Sequence, residues 1–253
     1  MSYVEGFIVA VPAEKKDEYL RHAALAVPIF TDFGVTRHVE AWGDDVPEGK
    51  VTDFRRAVQA KEGEAVVFSW FEYPSKAARD SANERMMTDP RMEEMGKTMP
   101  FDGQRMIFSG FAPMLDESSG GRMGYTDGFV APAPDREAYL AMAAKAAPVF
   151  LEHGATRVVE AWGDDIRDGK VTDFRKAVKA EEGENVVFSW IEWPDKQTRV
   201  EGWNKVMQDE RMKPPEGEAM PFDGKRMFWG GFDILLDSQS GIGLEAAADR
   251  QPA

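Results

Sequence analysis

The chain has 253 residues, 43% of hydrophobic type and 30% charged, with 45 acidic against 31 basic side chains and no cysteine. That composition is ordinary for a globular chain of one or two domains, and no apolar run approaches the ~18 residues needed to cross a bilayer. The net charge of −14 repels phosphate backbones, and zero cysteine removes disulfides, thiolate metal sites and Cys nucleophiles together. The opening residues MSYVEGFIVAVPAEKK lack a basic leader region, so no signal peptide is expected and a cytoplasmic location is. Basic and acidic residues are interspersed throughout, so no nucleic-acid partner and no membrane partner is expected.

In chain order, Tyr3 to Val11 reads as a β-strand stopped by Pro12. Tyr19, Ala23, Val27 and Phe30 follow helical spacing, with Pro28 expected to kink the helix or end its regular part and Gly34 to cap it. Val35 to Trp42 alternates as a strand. Thr52 to Ala60 suits either a short helix capped by Thr52 or Asp53, or a strand. Glu64 to Tyr73 is a strand ending at Pro74, Ser75 caps a helix running to about Met95, and Arg105 to Met114 is the last strand.

The whole series then recurs. VEAWGDDVPEGKVTDFRRAV from Val39 returns as VEAWGDDIRDGKVTDFRKAV from Val159, GEAVVFSWFEYP as GENVVFSWIEWP, and MPFDGQRMIFSGF as MPFDGKRMFWGGF. Pro148 and Gly154 repeat Pro28 and Gly34, while the helix from Asp195 is expected to stop at Pro214-Pro215. The expected division is a first repeat over 1–117, a Gly/Ser linker over 118–124, a second repeat over 125–238 and a loosely ordered tail over 239–253. Each repeat reads β-α-β-β-α-β, a ferredoxin-like unit whose sheet carries helices on one face only. The bare face needs a cover, and a second copy supplies it. The expected fold is therefore α+β: two ferredoxin-like repeats packed sheet to sheet in one chain, with further oligomerisation left open.

The runs AWGDDVPEGKVTDFRRAV, VVFSWFEYP, MMTDPRM and MPFDGQRMIFSGF resemble the YbaA-like bacterial family of unknown function, in both halves. That resemblance implies a dimeric α+β barrel and no particular reaction. Proteins of similar fold include heme-binding, cofactor-free monooxygenase and isomerase types, so fold alone does not choose among them.

Among chemistry-bearing residues, His22, His38 and His153 align with Met142, Val158 and Phe33, so a mechanism shared by both repeats cannot need histidine. All three read as incidental. The repeated carboxylates are more telling. Asp44-Asp45 and Asp102 read as turn residues, and Asp53 as a cap. Glu40 and Glu160 share a strand face with Trp42 and Trp162, opposite Val39 and Ala41. If that face lines the barrel, desolvation raises the carboxyl pKa and suits a general base; the plainer reading is an ion pair with a repeated arginine such as Arg55 or Arg105. Trp42, Trp162, Trp70 and Trp190 read as candidate walls of an apolar cavity, with Arg105 and Arg226 as polar contacts, against simple core packing. Ser69 lacks a nucleophile-elbow setting, and Met86, Met87, Met92, Met95 and Met99 read as core packing. No phosphate loop, dinucleotide fingerprint or metal-ligand spacing occurs, so neither cofactor nor metal is expected. Three functions stay open: a small-molecule binder, a cofactor-independent monooxygenase- or isomerase-like enzyme with Glu40 and Glu160 as base, and an interaction module without ligand.

Overall fold

A computed structural model describes residues 2–213 and 219–247. The first repeat runs β1 (Tyr3–Pro12), α1 (Lys16–Phe33), β2 (Arg37–Asp45), α2 (Phe54–Ala57), β3 (Glu64–Tyr73), α3 (Lys76–Met86), α4 (Pro90–Lys97) and β4 (Ile107–Ser118). The second runs β5 (Tyr125–Ala133), α5 (Arg136–Glu152), β6 (Arg157–Asp165), α6 (Phe174–Ala177), β7 (Asn185–Trp193), α7 (Lys196–Val206) and β8 (Phe228–Asp237). Within each repeat the strands lie in the ferredoxin-like order 4-1-3-2, all antiparallel. The edges then pair across repeats, β2 with β8 and β4 with β6, so the eight strands close into one barrel and no edge is left bare.

Alternation sorts each strand into two buried faces. Inward residues such as Ile8, Val39, Ala41, Phe68, Trp70, Phe111, Val159, Phe188, Trp190 and Phe232 fill the barrel. Phe68 stacks on Phe188 and Trp70 on Trp190, each pair with centroids 4.6 Å apart on the pseudo-two-fold axis. Gly6 and Gly128 make room for those rings: a Cβ would stand 2.8 Å from Phe188 and 3.0 Å from Phe68 respectively. The barrel interior is thus solid core.

The segments that recur most faithfully are the ones that hold the repeats together. Asp53 and Asp173 cap the short helices α2 and α6, whose Phe54 and Phe174 point into the barrel core. Thr52 Oγ1 donates to the carbonyl of Ala177, and Thr172 Oγ1 to that of Ala57, both at 2.6 Å. Asp44 accepts from Tyr125 and Lys196, and Asp45 from Arg199; Asp164 and Asp165 do the same for Tyr3, Lys76 and Arg79. The Gly-Asp-Asp motif is therefore a cross-repeat clamp rather than a solvated turn. Further along the barrel, Arg37 forks onto Glu192 and onto Asp237, while Arg157 forks onto Glu72 and onto Asp116. The indole N–H of Trp70 donates to Glu72 and that of Trp190 to Glu192, so each carboxylate binds both repeats.

Several expected boundaries shift. Helices α1 and α5 run through Pro28 and Pro148, which fall near their C-terminal ends and each cost one internal hydrogen bond. The single helix expected from Ser75 to Met95 is two, because Asp89 caps a new start with Pro90 in its first turn. The 52–60 stretch is the short helix, not a strand, and the last strand starts at Ile107, with Arg105 in a 3-10 turn. In the linker, Met123 is buried in the barrel core. Within the tail, Leu244–Ala247 forms a 3-10 turn whose Leu244, Ala246 and Ala247 pack with Ala23, Ala24 and Leu236. The expected stop at Pro214-Pro215 lies outside the described residues, and α7 itself ends at Val206.

Candidate functional site

The outward face of each half-barrel is covered by its own helices, and each sheet–helix layer holds a cavity that opens to solvent. The first holds about 310 Å³ and the second about 420 Å³. Strand register builds the floor of the first: Glu40, Ser69, Phe7 and Phe108 form one cross-strand row, and His38, Phe71 and Glu5 the next. Helix α1 contributes Tyr19, His22, Ala23, Ala26 and Phe30, and the α3–α4 arm contributes Met86, Met92 and Met95. The same rows in the second repeat read Glu160, Ser189, Phe129, and Ile191 beside Val158.

Glu40 is the chemical centre of the first cavity. Tyr19 Oη donates to its Oε2 at 2.7 Å, and His38 Nε2 stands 2.7 Å from its Oε1. Burial and the adjacent carboxylate push the Tyr19 phenol well above its ordinary pKa, so it stays a proton donor. Burial lowers the pKa of His22. Glu5, on the next row, is buried and its pKa is raised by desolvation; its nearest cation, Arg167, is 3.9 Å away. In the second cavity Tyr139 donates to Glu160 at 3.0 Å, and desolvation lifts Glu160 to about 7.

The structure brings some expected residues to these cavities and not others. Glu40 and Glu160 line them, but from the helix side: the face they share with Trp42 and Trp162 looks away from the barrel interior. The strand parity follows the alternation; the direction does not, because both faces of these sheets are buried. The arginine partner anticipated for Glu40 is absent among the described residues; Tyr19 and His38 take its place, and Arg55 instead donates to the carbonyls of Glu64 and Lys61. Trp70 and Trp190 lie in the barrel core. Trp42 stands behind Tyr19, with centroids 6.3 Å apart, and neither it nor Trp162 reaches a cavity wall. Arg105 and Arg226 fork onto Glu64 and Glu184 and brace Asp102 and Asp223, outside both cavities. Conversely, His22, His38, Ser69 and four of the five clustered methionines, all but the exposed Met87, are wall residues. The signal for the histidines was available: both sit at outward or helix-inner positions beside Glu40.

A closed barrel of two ferredoxin-like repeats with a cavity under each helix layer defines a dimeric α+β barrel protein carried on one chain. Solved structures of that shape agree. A protein named "putative monooxygenase" from Lactobacillus acidophilus aligns with TM-score 0.55 and 8% identity over 95% of this chain and 97% of its own. Another so named, from Fusobacterium nucleatum, aligns with TM-score 0.53 and 9% identity over 95% of both chains. At such identity the likeness is one of fold. The chain belongs to the family described as "Protein of unknown function (DUF1428)", which matches residues 2–103 and again 124–224. The "Uncharacterized protein YbaA" of Escherichia coli (strain K12) is 63% identical over 117 residues, which is all of that protein and 46% of this chain; the Shigella flexneri protein matches equally. These relatives are thus one repeat long. No helix among the described residues is long and apolar enough to cross a membrane.

Proposed function

We propose that the chain binds a small, mainly apolar molecule in its sheet–helix cavities. The observation that carries this reading is the pair of cavities at matching places in the two repeats, each lined by Phe, Met and Ala, with Glu40 and Glu5 on the floor of the first and Glu160 on that of the second. Their volumes fall at the lower end of ligand pockets, roughly 300–1,000 Å³, and few convergent polar groups on apolar walls is the usual pattern of a binding site. An interaction module without ligand has no need of such spaces, so the solid barrel core beside two open layers counts against it. In this reading Trp42, Trp162, Trp70, Trp190, Arg105 and Arg226 are scaffold rather than contacts.

The test is titration with 2-methoxynaphthalene, neutral and apolar, followed through ¹³C-methyl methionine resonances. Met86 and Met92 report on the first cavity, Met142 and Met220 on the second. Binding shifts both sets; no shift up to the solubility limit overturns the reading. A second reading, proton abstraction without a cofactor, is favoured by the carboxylate oxygens of Glu40 being held at both ends on a cavity wall. It expects deuterium exchange into the methyl group of acetophenone in D₂O, lost when Glu40→Gln and Glu160→Gln are combined. Exchange no faster than in buffer removes it.

A further inference from the structure

The two cavities differ in the residues that touch their carboxylates. In the first, both oxygens of Glu40 are engaged, by the Tyr19 hydroxyl and by His38, at 2.7 Å each. The tyrosine hydroxyl donates, and the Nε2–H tautomer of His38 places a second donor on the other oxygen. In the second, Val158 stands where His38 does, and Glu160 accepts from Tyr139 at 3.0 Å with Ser189 beside it but no imidazole. Burial, which Ser189 and Tyr139 only partly offset, raises the Glu160 carboxyl to about 7. The neighbouring acid differs as well. Asp127, the counterpart of Glu5, is fully buried and consumed by Trp193, Trp203 and Arg199 at 2.7–2.9 Å, and it does not line the second cavity. In the first repeat Asn83 replaces Trp203, Arg79 turns to Tyr3 and Asp165, and Glu5 is left on the cavity wall.

We propose that the cavities have diverged in ligand class: the first selects a weakly acidic O–H or N–H donor on an apolar body, with Glu40 as acceptor and His38 and Tyr19 positioning it, while the second takes apolar molecules without that demand. This rests on the binding reading above. Each carboxylate oxygen has two lone-pair sites, so Glu40 keeps one on each oxygen beside Tyr19 and His38, and a ligand that donates to it gains a charge-assisted hydrogen bond, roughly twice as strong as a neutral one. Discrimination of about ten-fold or more is therefore expected in the first cavity only.

The experiment compares 2-naphthol, which donates, with 2-methoxynaphthalene, which cannot, using the same methionine resonances in the full chain. Met86 and Met92 should respond to 2-naphthol at about one-tenth the concentration or less, while Met142 and Met220 respond to the two probes within about three-fold. Glu40→Gln should abolish the preference. His38→Val should reduce it and His38→Gln, which can still donate, should restore it; a merely structural role for His38 would move both probes together. Val158→His should confer preference on the second cavity, so the inference remains decidable if Glu40→Gln does not fold. Equal preference in both cavities, or preference surviving Glu40→Gln, overturns the inference and leaves the binding reading standing. Silence of both methionine sets toward both probes instead removes the binding reading itself.

Discussion

The seam between the repeats and the cavities under their helices have different histories written in them. Across the seam the principal contacts have twins: Thr52 with Thr172, Asp44-Asp45 with Asp164-Asp165, Arg37 with Arg157, Trp70 with Trp190. Around the cavities the twins part company: His22 corresponds to Met142, His38 to Val158 and Asn83 to Trp203. A seam residue touches the other repeat, so a change there disturbs both halves and must be matched. The side chains of most cavity residues meet their own helix layer, so the two layers are freer to drift apart. A chain with two copies can therefore keep one fold while its cavities take up different ligands.

The largest expected effect lies in the seam. Arg37→Leu leaves buried Asp237 without its guanidinium and Glu192 with only Arg157 at 3.4 Å and the Trp190 indole, and should cost about 3–5 kcal/mol in urea unfolding. A loss well under 1 kcal/mol would mean the network is decorative and the comparison wrong. Gly6→Ala comes next. Its Cβ would press on Phe188, which is already pinned by Phe68 at 4.6 Å, and about 1–3 kcal/mol should be lost. Gly128→Ala, against Phe68, should cost a similar amount if the seam is symmetric in energy as it is in geometry.

Much of the fold was legible because the repeat is. Aligning the two copies exposes the strand and helix order, and a one-faced sheet demands a cover. The split at Asp89-Pro90 was also written, since Asp before Pro is a helix start, but a continuous methionine-rich pattern masked it. The site was less legible for two physical reasons. Alternation on β2 separates Glu40 from Val39 and Ala41, yet here one face meets the barrel core and the other the helices, so apolar neighbours cannot say which is which. And the repeat, used as a filter, finds what both halves share. It passes Glu40 and Glu160 and discards His22 and His38, the residues by which the first cavity departs from the second. Nor does a single copy disclose that Asp44-Asp45 reaches across to Arg199 and Tyr125.

The cavity side of the comparison has its own pH signature. Glu160 titrates at about 7 in the folded chain against an ordinary 4.5, raised by burial. Its folded state binds the proton more tightly than its unfolded state, so this contribution to stability is complete below pH 4.5 and is lost as pH rises toward and through about 7. Glu160→Gln should flatten that fall and raise stability at pH 8 relative to the parent by roughly 1–3 kcal/mol, discounted for the group's partial exposure. Urea unfolding at pH 5 and pH 8 decides it: an unchanged difference between the two pH values would place the burial cost elsewhere.

The smallest effect is the sharpest test of symmetry. Thr52 and Thr172 each send one hydroxyl across the seam to a carbonyl of the opposite short helix, at the same 2.6 Å and in the same buried setting. Valine keeps the β-branched shape and removes the donor, so Thr52→Val and Thr172→Val should each cost about 1 kcal/mol, the net worth of one buried hydrogen bond plus the strand of acceptor left unmet. If the seam is an energetic twin of itself, the two losses agree within about 0.5 kcal/mol and the double variant loses their sum, since the two bonds share no partner. Unequal losses would mean that drift has reached the seam too, with identical geometry concealing unequal support from the layers behind it. A double variant losing much more than the sum would instead mean that the two hydroxyls hold one common element, the α2–α6 contact, which either can secure alone.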